Sequence, residues 1–260
     1  MKKIICKSNI LQPHILCKKG DIAENIILPG DPGRVLRIAK LMDSGREVSF
    51  NREYRVFTGK YKGVPVSICS TGIGGPSTAI AMEELMAIGA KNFIRVGSCG
   101  ANQARIKIGD LIISDSVVRE DHTCLDYVSV KYPAIADPDT FQIMKKVSDN
   151  LKFKYYAGPT VTVDALFSPR TKEIKKTWSA FNTLAQDMEA GTVLTLARVK
   201  GAKAGVVLLV VDQEAEKNIR QKIAKYSLEA QSGKGELVKM ENKASLVALE
   251  SFVLMNKNKR

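Results

Sequence analysis

An α/β fold, with a central sheet covered by helices on both faces, is expected from three observations. Short β-branched apolar runs alternate with segments of helical periodicity, the pattern left when strands and helices take turns along a chain. The chain has 260 residues, 45% hydrophobic and 26% charged, enough for a substantial core at ordinary globular composition. No Ser/Gly-rich linker and no internal repeat divides it, so residues 1–260 are expected to form one domain.

The candidate strands, in order, are Asn25–Leu28, Val64–Cys69, Asn92–Val96, Asp110–Ser114, Pro159–Val163 and Gly205–Val211. Ser77–Ile88 and Gly191–Val199 carry apolar residues at helical spacing, and the stretch Thr192–Ala197 is apolar nearly all round, which predicts a buried helix. Asp137-Pro138-Asp139 starts another helix, because proline suits a first turn and carboxylates suit its positive end. The lysine-rich segment Glu214–Lys243 is expected to break between two helices at Ser232-Gly233-Lys234-Gly235, and Lys257–Arg260 to end as a solvated tail.

Forty Lys+Arg against 27 Asp+Glu leave a formal charge of +13, which attracts polyanions without naming one. A nucleic-acid-binding protein would also need a basic stripe interleaved with aromatics; none is seen, and aromatic content is 6%. The longest apolar run is strand-sized, so no membrane span is expected. The basic N-terminus is interrupted at Lys7-Ser8-Asn9 and does not read as a secretory signal. Five scattered cysteines without a Cys-x-x-Cys pair argue against a disulfide framework and a zinc site, and favour a cytoplasmic location.

Five clusters carry possible chemistry. Pro29-Gly30-Asp31-Pro32-Gly33-Arg34 follows a strand and precedes a helical segment. Its glycines allow backbone N–H groups to approach an anion, and Arg34 adds a bidentate donor. A tight turn with a surface arginine accounts equally well for that cluster alone. Two more glycine turns, Ser70–Ser77 and Arg95–Gly100, also end strands, and ligands of open α/β sheets gather outside strand carboxyl ends. For Arg95 the competing reading is a carboxylate pair. In Asp187-Met188-Glu189-Ala190 a carboxylate could accept two sugar hydroxyls beside an adaptable methionine wall, or the acids could simply cap the buried helix. Asp212, leaving an apolar strand, is either a proton donor raised by desolvation or a helix N-cap.

Taken together, Gly30–Arg34, Asn51-Arg52-Glu53-Tyr54, Thr71–Gly74, Arg95–Gly100, Tyr132–Asp137 and Asp187–Ala190 resemble the nucleoside phosphorylase family of hexameric purine nucleoside and uridine phosphorylases. The resemblance implies a mixed, partly barrel-like sheet and dimers that build a hexamer. It also implies reversible phosphorolysis of a nucleoside to free base and ribose 1-phosphate. Gly30, Arg34, Arg95 and Ser98 would hold phosphate, with Arg52 reaching in from an adjacent subunit. Met188 and Glu189 would hold the ribose hydroxyls, and His14 would enter the neighbour's sugar pocket near the 5′ position. Cys99, Gly100, Phe167, Arg170, Asp187, Asp212 and Gln213 would line the base, with Asp212, Glu189 and Arg95 as the catalytic set. No cofactor or metal is implied; inorganic phosphate is the co-substrate.

The resemblance divides over the base. Val118–Asp121, Tyr127–Ala134, Gly100–Gln103 and Asp212-Gln213-Glu214 are similar to the uridine branch. The compact Phe167-Ser168-Pro169-Arg170 loop lacks that branch's Gln-x-Arg clamp and is more like the purine branch, as is Asp212, placed to protonate a purine at N7. More separate segments favour uridine, with Arg170 or Gln213 in place of the clamp. A nucleosidase using water is disfavoured by Arg34, Arg52 and Arg95.

Overall fold

The computed structural model describes residues 10–213 and 219–258. Cys6, Glu214 and the last two residues of the expected tail lie outside them. The elements are β1 (Asn25–Leu28), α1 (Pro32–Ala39), β2 (Ser44–Asn51), β3 (Tyr54–Tyr61), β4 (Val64–Cys69), α2 (Gly75–Ala87), β5 (Asn92–Ala101), β6 (Leu111–Glu120), β7 (Ala134–Ile135), α3 (Pro138–Asn150), β8 (Tyr155–Val163), α4 (Thr171–Ala180), β9 (Ala185–Asp187), α5 (Ala190–Lys200), β10 (Lys203–Asp212), α6 (Ile219–Ser232) and α7 (Glu236–Lys257).

One mixed sheet holds them together. Its order is β10-β6-β8-β9-β5-β1-β4-β3-β2, and β10 also pairs with β5, which closes the first five strands into a barrel. Strands β1 and β4, running parallel to β5, and the antiparallel hairpin β2–β3 extend from it. Strands buried on both faces need continuous apolar runs; β10 meets this with buried residues from Ala204 through Val210. Two apolar clusters result. One includes Phe93, Cys99 and Leu208 with α2 and α5 side chains, and the other Ile94, Val96 and Leu209 with α7 side chains.

Each expected strand is present, and the helix read as apolar all round is α5, buried from Ala190 through Ala197. Asp137 caps α3 by accepting from Thr140 N at 2.9 Å. The break between α6 and α7 falls at Gly233–Gly235, where Gly233 and Gly235 have φ of 67° and 121°, a backbone region that glycine enters without steric cost.

Candidate active site

Strand pairing opens the site. Along one edge β5 pairs with β1 over Asn92–Arg95 and with β9 at Gly100–Ala101, while β10 follows its other edge. Between Val96 and Cys99 the strand therefore parts from one neighbour before meeting the next, and such a switch point leaves a crevice at the strand ends. Gly97 sits in the gap: a Cβ there would come within 2.6 Å of Arg95 Nη2 and 2.8 Å of Leu208 Cδ2.

The first four clusters meet around this gap. Thr71 N donates to Pro29 O at 2.9 Å and Gly72 N to Gly30 O at 3.0 Å, stitching the first two glycine turns together. Gly74, at φ 93°, donates its N–H to Glu189 Oε1 at 2.6 Å. The other Glu189 oxygen accepts from Arg95 Nη2. Residues 30, 72–74, 95 and 189 are thus joined through direct contacts. A cavity of about 520 Å³, lined by Ile73, Gly74, Pro76, His122, Leu125 and Asp164, borders the same turn.

Asp187 and Glu189 have separate tasks. Asp187 Oδ2 accepts from Arg95 Nε at 2.9 Å and from Ala190 N at 2.9 Å, and Oδ1 accepts from Thr162 Oγ1 at 2.6 Å. With both oxygens engaged, Asp187 locks Arg95 and caps α5. Arg95, Asp187 and Glu189 are all buried, so a positive charge is shared by two carboxylates away from water. Burial pushes the Glu189 carboxyl above its ordinary value, opposed by the Arg95 charge and assisted by Asp187.

Asp212 ends β10. The register passes from Val210↔Cys99 to Asp212↔Gly100, so Val211 is the extra residue of a bulge, a device that re-aims the following side chain. The buried Asp212 carboxylate consequently lies beside Gly100, 3.7 Å from where a Cβ on that glycine would stand.

Arg34 is not the surface arginine of the simpler reading. Its Nη1 donates to Val96 O at 3.2 Å, inside the β5 gap, and its Nη2 donates to Tyr226 Oη at 2.6 Å and Glu241 Oε1 at 3.0 Å. Its Nε is buried with no hydrogen-bond partner. Glu241 also takes Arg37 Nε at 2.8 Å, and Arg37 Nη2 reaches Asp31 at 2.8 Å. Asp31 meanwhile caps α1 by accepting from Gly33 N and Arg34 N, so these two amides are already occupied. Burial opposes ionisation of Glu241, yet Arg34, Arg37 and Tyr226 together hold its carboxyl below the usual range. Its stabilising contribution is therefore present above the free-glutamate pKa of about 4.3 and is lost as pH falls through the lower folded value. Glu241→Ala should cost about 3–5 kcal/mol at neutral pH by leaving buried guanidinium groups uncompensated. Urea unfolding would measure this, and a loss below about 1 kcal/mol would contradict the pairing.

The remaining expected residues are distributed as follows. Gly30, Ser98 and Met188 are half-buried beside the assembled turns. Arg52 is exposed at the β2–β3 tip with φ 54°, and His14 is held by Glu84. The Cys99 side chain packs in the barrel cluster and its Sγ faces Leu209 O. Phe167 is 52% exposed, with the Arg220 guanidinium 4.0 Å from its ring centroid. Arg170 is exposed at the start of α4. Gln213 Nε2 donates to Ala104 O at 3.0 Å, so its amide is directed to the loop after β5.

Sequence reasoning missed Tyr226, Glu241, Arg37, Thr162 and Glu84. Of these, only Glu84 carried a local signal, as one of two adjacent carboxylates on the mostly apolar helix α2. Among the described residues, no group of three or more His, Cys, Asp or Glu side chains is placed to hold a metal ion, and no helix is long and apolar enough to cross a membrane.

Known proteins share this arrangement. The family model described as the phosphorylase superfamily matches residues 24–237. A uridine phosphorylase of Thermococcus kodakarensis is 47% identical over 212 residues, 77% of this chain and 76% of that protein. A guanosine phosphorylase of Halorubrum lacusprofundi is 43% identical over 199 residues, 76% and 82% of the two chains. The crystal structure of a uridine phosphorylase from Vibrio fischeri superposes with a TM-score of 0.84 at 35% identity, covering 94% of this chain and 96% of that one. Sequence, sheet closure and the assembled glycine turns agree, and the chain belongs to the phosphorylase superfamily.

Proposed function

We propose that the chain is a nucleoside phosphorylase acting on uridine, cleaving its N-glycosidic bond with inorganic phosphate to give uracil and ribose 1-phosphate. The observation that carries the reading is the contact chain from Gly74 through Glu189 to Arg95 at the point where β5 parts from β1. In this reading Arg95, with Ser98, Gly30 and Arg34, receives phosphate, while Glu189 and Met188 orient the ribose. A phosphate oxygen bonds to C1′ as the glycosidic bond breaks, and its electron pair leaves with the base. Positive charge develops on the sugar ring and negative charge on the base, so an anion under the ring and donors at the base lower the barrier.

Arg52 and His14 are assigned to the site of a second copy of the chain, in a dimer-based homo-oligomer that is expected to be a hexamer. The exposure of Arg52 and of Phe50 at the same hairpin supports this. Phosphate is the co-substrate and no metal is invoked. A cytoplasmic setting is consistent with the four described cysteines, all buried and free.

One observation favours a purine substrate instead: the β10 bulge sets the Asp212 carboxylate beside Gly100, where an acid could protonate a departing purine. The test offers uridine, inosine, guanosine, adenosine and methylthioadenosine in turn, with and without phosphate. Uridine should release base fastest, and only with phosphate. Equal release in phosphate-free buffer would point to a nucleosidase, and faster release from a purine nucleoside that Asp212→Asn abolishes would favour the purine reading.

A further inference from the structure

We propose that Tyr226 is a positioning residue for inorganic phosphate: from helix α6 its hydroxyl holds the Nη2 end of Arg34, so that the guanidinium offers its Nε–H to the anion. The proposal rests on the reading above, in which Arg34 belongs to the phosphate seat.

A guanidinium carries one proton on Nε and two on each terminal nitrogen. Both Nη2 protons of Arg34 are taken, by Tyr226 Oη at 2.6 Å and Glu241 Oε1 at 3.0 Å, and Nη1 donates to Val96 O at 3.2 Å. Nε is buried and has no partner among the described residues. A buried donor left unmade is costly, and this one belongs to a group whose other nitrogens are fixed from two helices and a strand. A phosphate oxygen would satisfy it with a charge-assisted bond.

Tyr226 and Glu241 act differently on that charge. Glu241 is shared, since Arg37 donates to it through Nε at 2.8 Å and Nη2 at 3.2 Å. Its negative charge also competes with an incoming anion for Arg34. The tyrosine fixes direction without cancelling charge. A guanidinium only donates and an ionised carboxylate only accepts, so Tyr226 Oη accepts from Arg34 and donates to Glu241. Burial pushes the phenol above its ordinary value, which keeps that proton in place at neutral pH.

The helix that carries Tyr226 is held by the same face of α1. Arg37 donates from Nη1 to Ala230 O at 3.0 Å, one helical turn beyond Tyr226. Both arginines of α1 therefore grip α6. Because docking of α6 and binding of phosphate share Arg34, each strengthens the other by the same factor.

The experiment measures the affinity of inorganic phosphate by calorimetry, and KM for phosphate and uridine, in the full-length protein, Tyr226→Phe, Leu228→Ala and Arg34→Ala. If a purine nucleoside proves the better substrate, it replaces uridine. Tyr226→Phe should weaken phosphate about 10-fold, the scale of one hydrogen bond to a charged group, with the nucleoside KM within about 2-fold. Leu228→Ala, at a residue 67% exposed on the same helix, should leave both within about 2-fold. Arg34→Ala should weaken phosphate more than Tyr226→Phe does. Weak phosphate binding in Arg34→Ala with native binding in Tyr226→Phe overturns the role of Tyr226 alone. Native binding in both removes Arg34 from the seat, and the proposal falls with that reading. Equal losses for phosphate and nucleoside in Tyr226→Phe, or a phosphate loss in Leu228→Ala, overturn positioning in favour of a general structural role. Should Tyr226→Phe fail to fold, hydrogen exchange of the unaltered protein decides: saturating phosphate should slow the α6 amides about 10-fold, and unchanged exchange overturns the proposal.

Discussion

Arg95→Ala is expected to lose phosphorolysis by at least about 10³-fold and to destabilise the fold by about 3–5 kcal/mol. Both effects come from one guanidinium. It bonds Asp187 and Glu189, two carboxylates buried at the start of α5, and its removal leaves two negative charges without compensation in a poorly solvated place. The Gly97 backbone is packed against that guanidinium, so the loss also leaves space in the β5 gap. Denaturant unfolding and phosphate-dependent base release measure the two effects separately. A variant with native stability would show that Asp187 and Glu189 are satisfied without Arg95, and a variant with native turnover would remove Arg95 from the phosphate seat.

Glu189→Gln is expected to lower kcat by about 10²–10³-fold while changing stability by less than about 1 kcal/mol. The amide keeps an oxygen for Gly74 N but sets N–H against N–H at Arg95, so the orienting contact fails where the sugar is to be held. Stability responds differently. The carboxyl value is raised on folding, so the folded chain binds that proton more tightly. Stability from this group is full at low pH and falls as pH rises through the folded value. Burial disfavours the charged form of Glu189, a cost that glutamine removes, offsetting the lost contact with Arg95. Steady-state kinetics with uridine and thermal unfolding test the pair of effects. A large stability loss with unchanged kcat would make Glu189 a structural cap instead.

Strand β2 and helix α4 were not legible in the sequence, and their burial explains why. β2 has no buried residue among its eight, and α4 none among its ten. Neither presents the apolar periodicity that identifies an element, because each is held by pairing or packing along one side. α5 is the opposite case: eight consecutive buried residues make its apolar run visible in any reading. At the site, the capping reading of Asp187-Met188-Glu189 is met by one acid and not the other. Asp187 is the cap, and Glu189 faces the glycine turn.

Local chemistry along the chain is enough to specify the strand–glycine–helix turns, the buried helix and the residue types of an anion site. Those features depend on neighbours a few positions away, through dihedral freedom and apolar spacing. The partners of the buried charges are another matter. Arg34 finds Glu241 across 207 positions and His14 finds Glu84 across 70, and Asp212 is turned by a bulge that exists only in register with β5. Electrostatic pairing depends on separation in space and on exclusion of water, and both arise when α7, α2 and the closed barrel pack together.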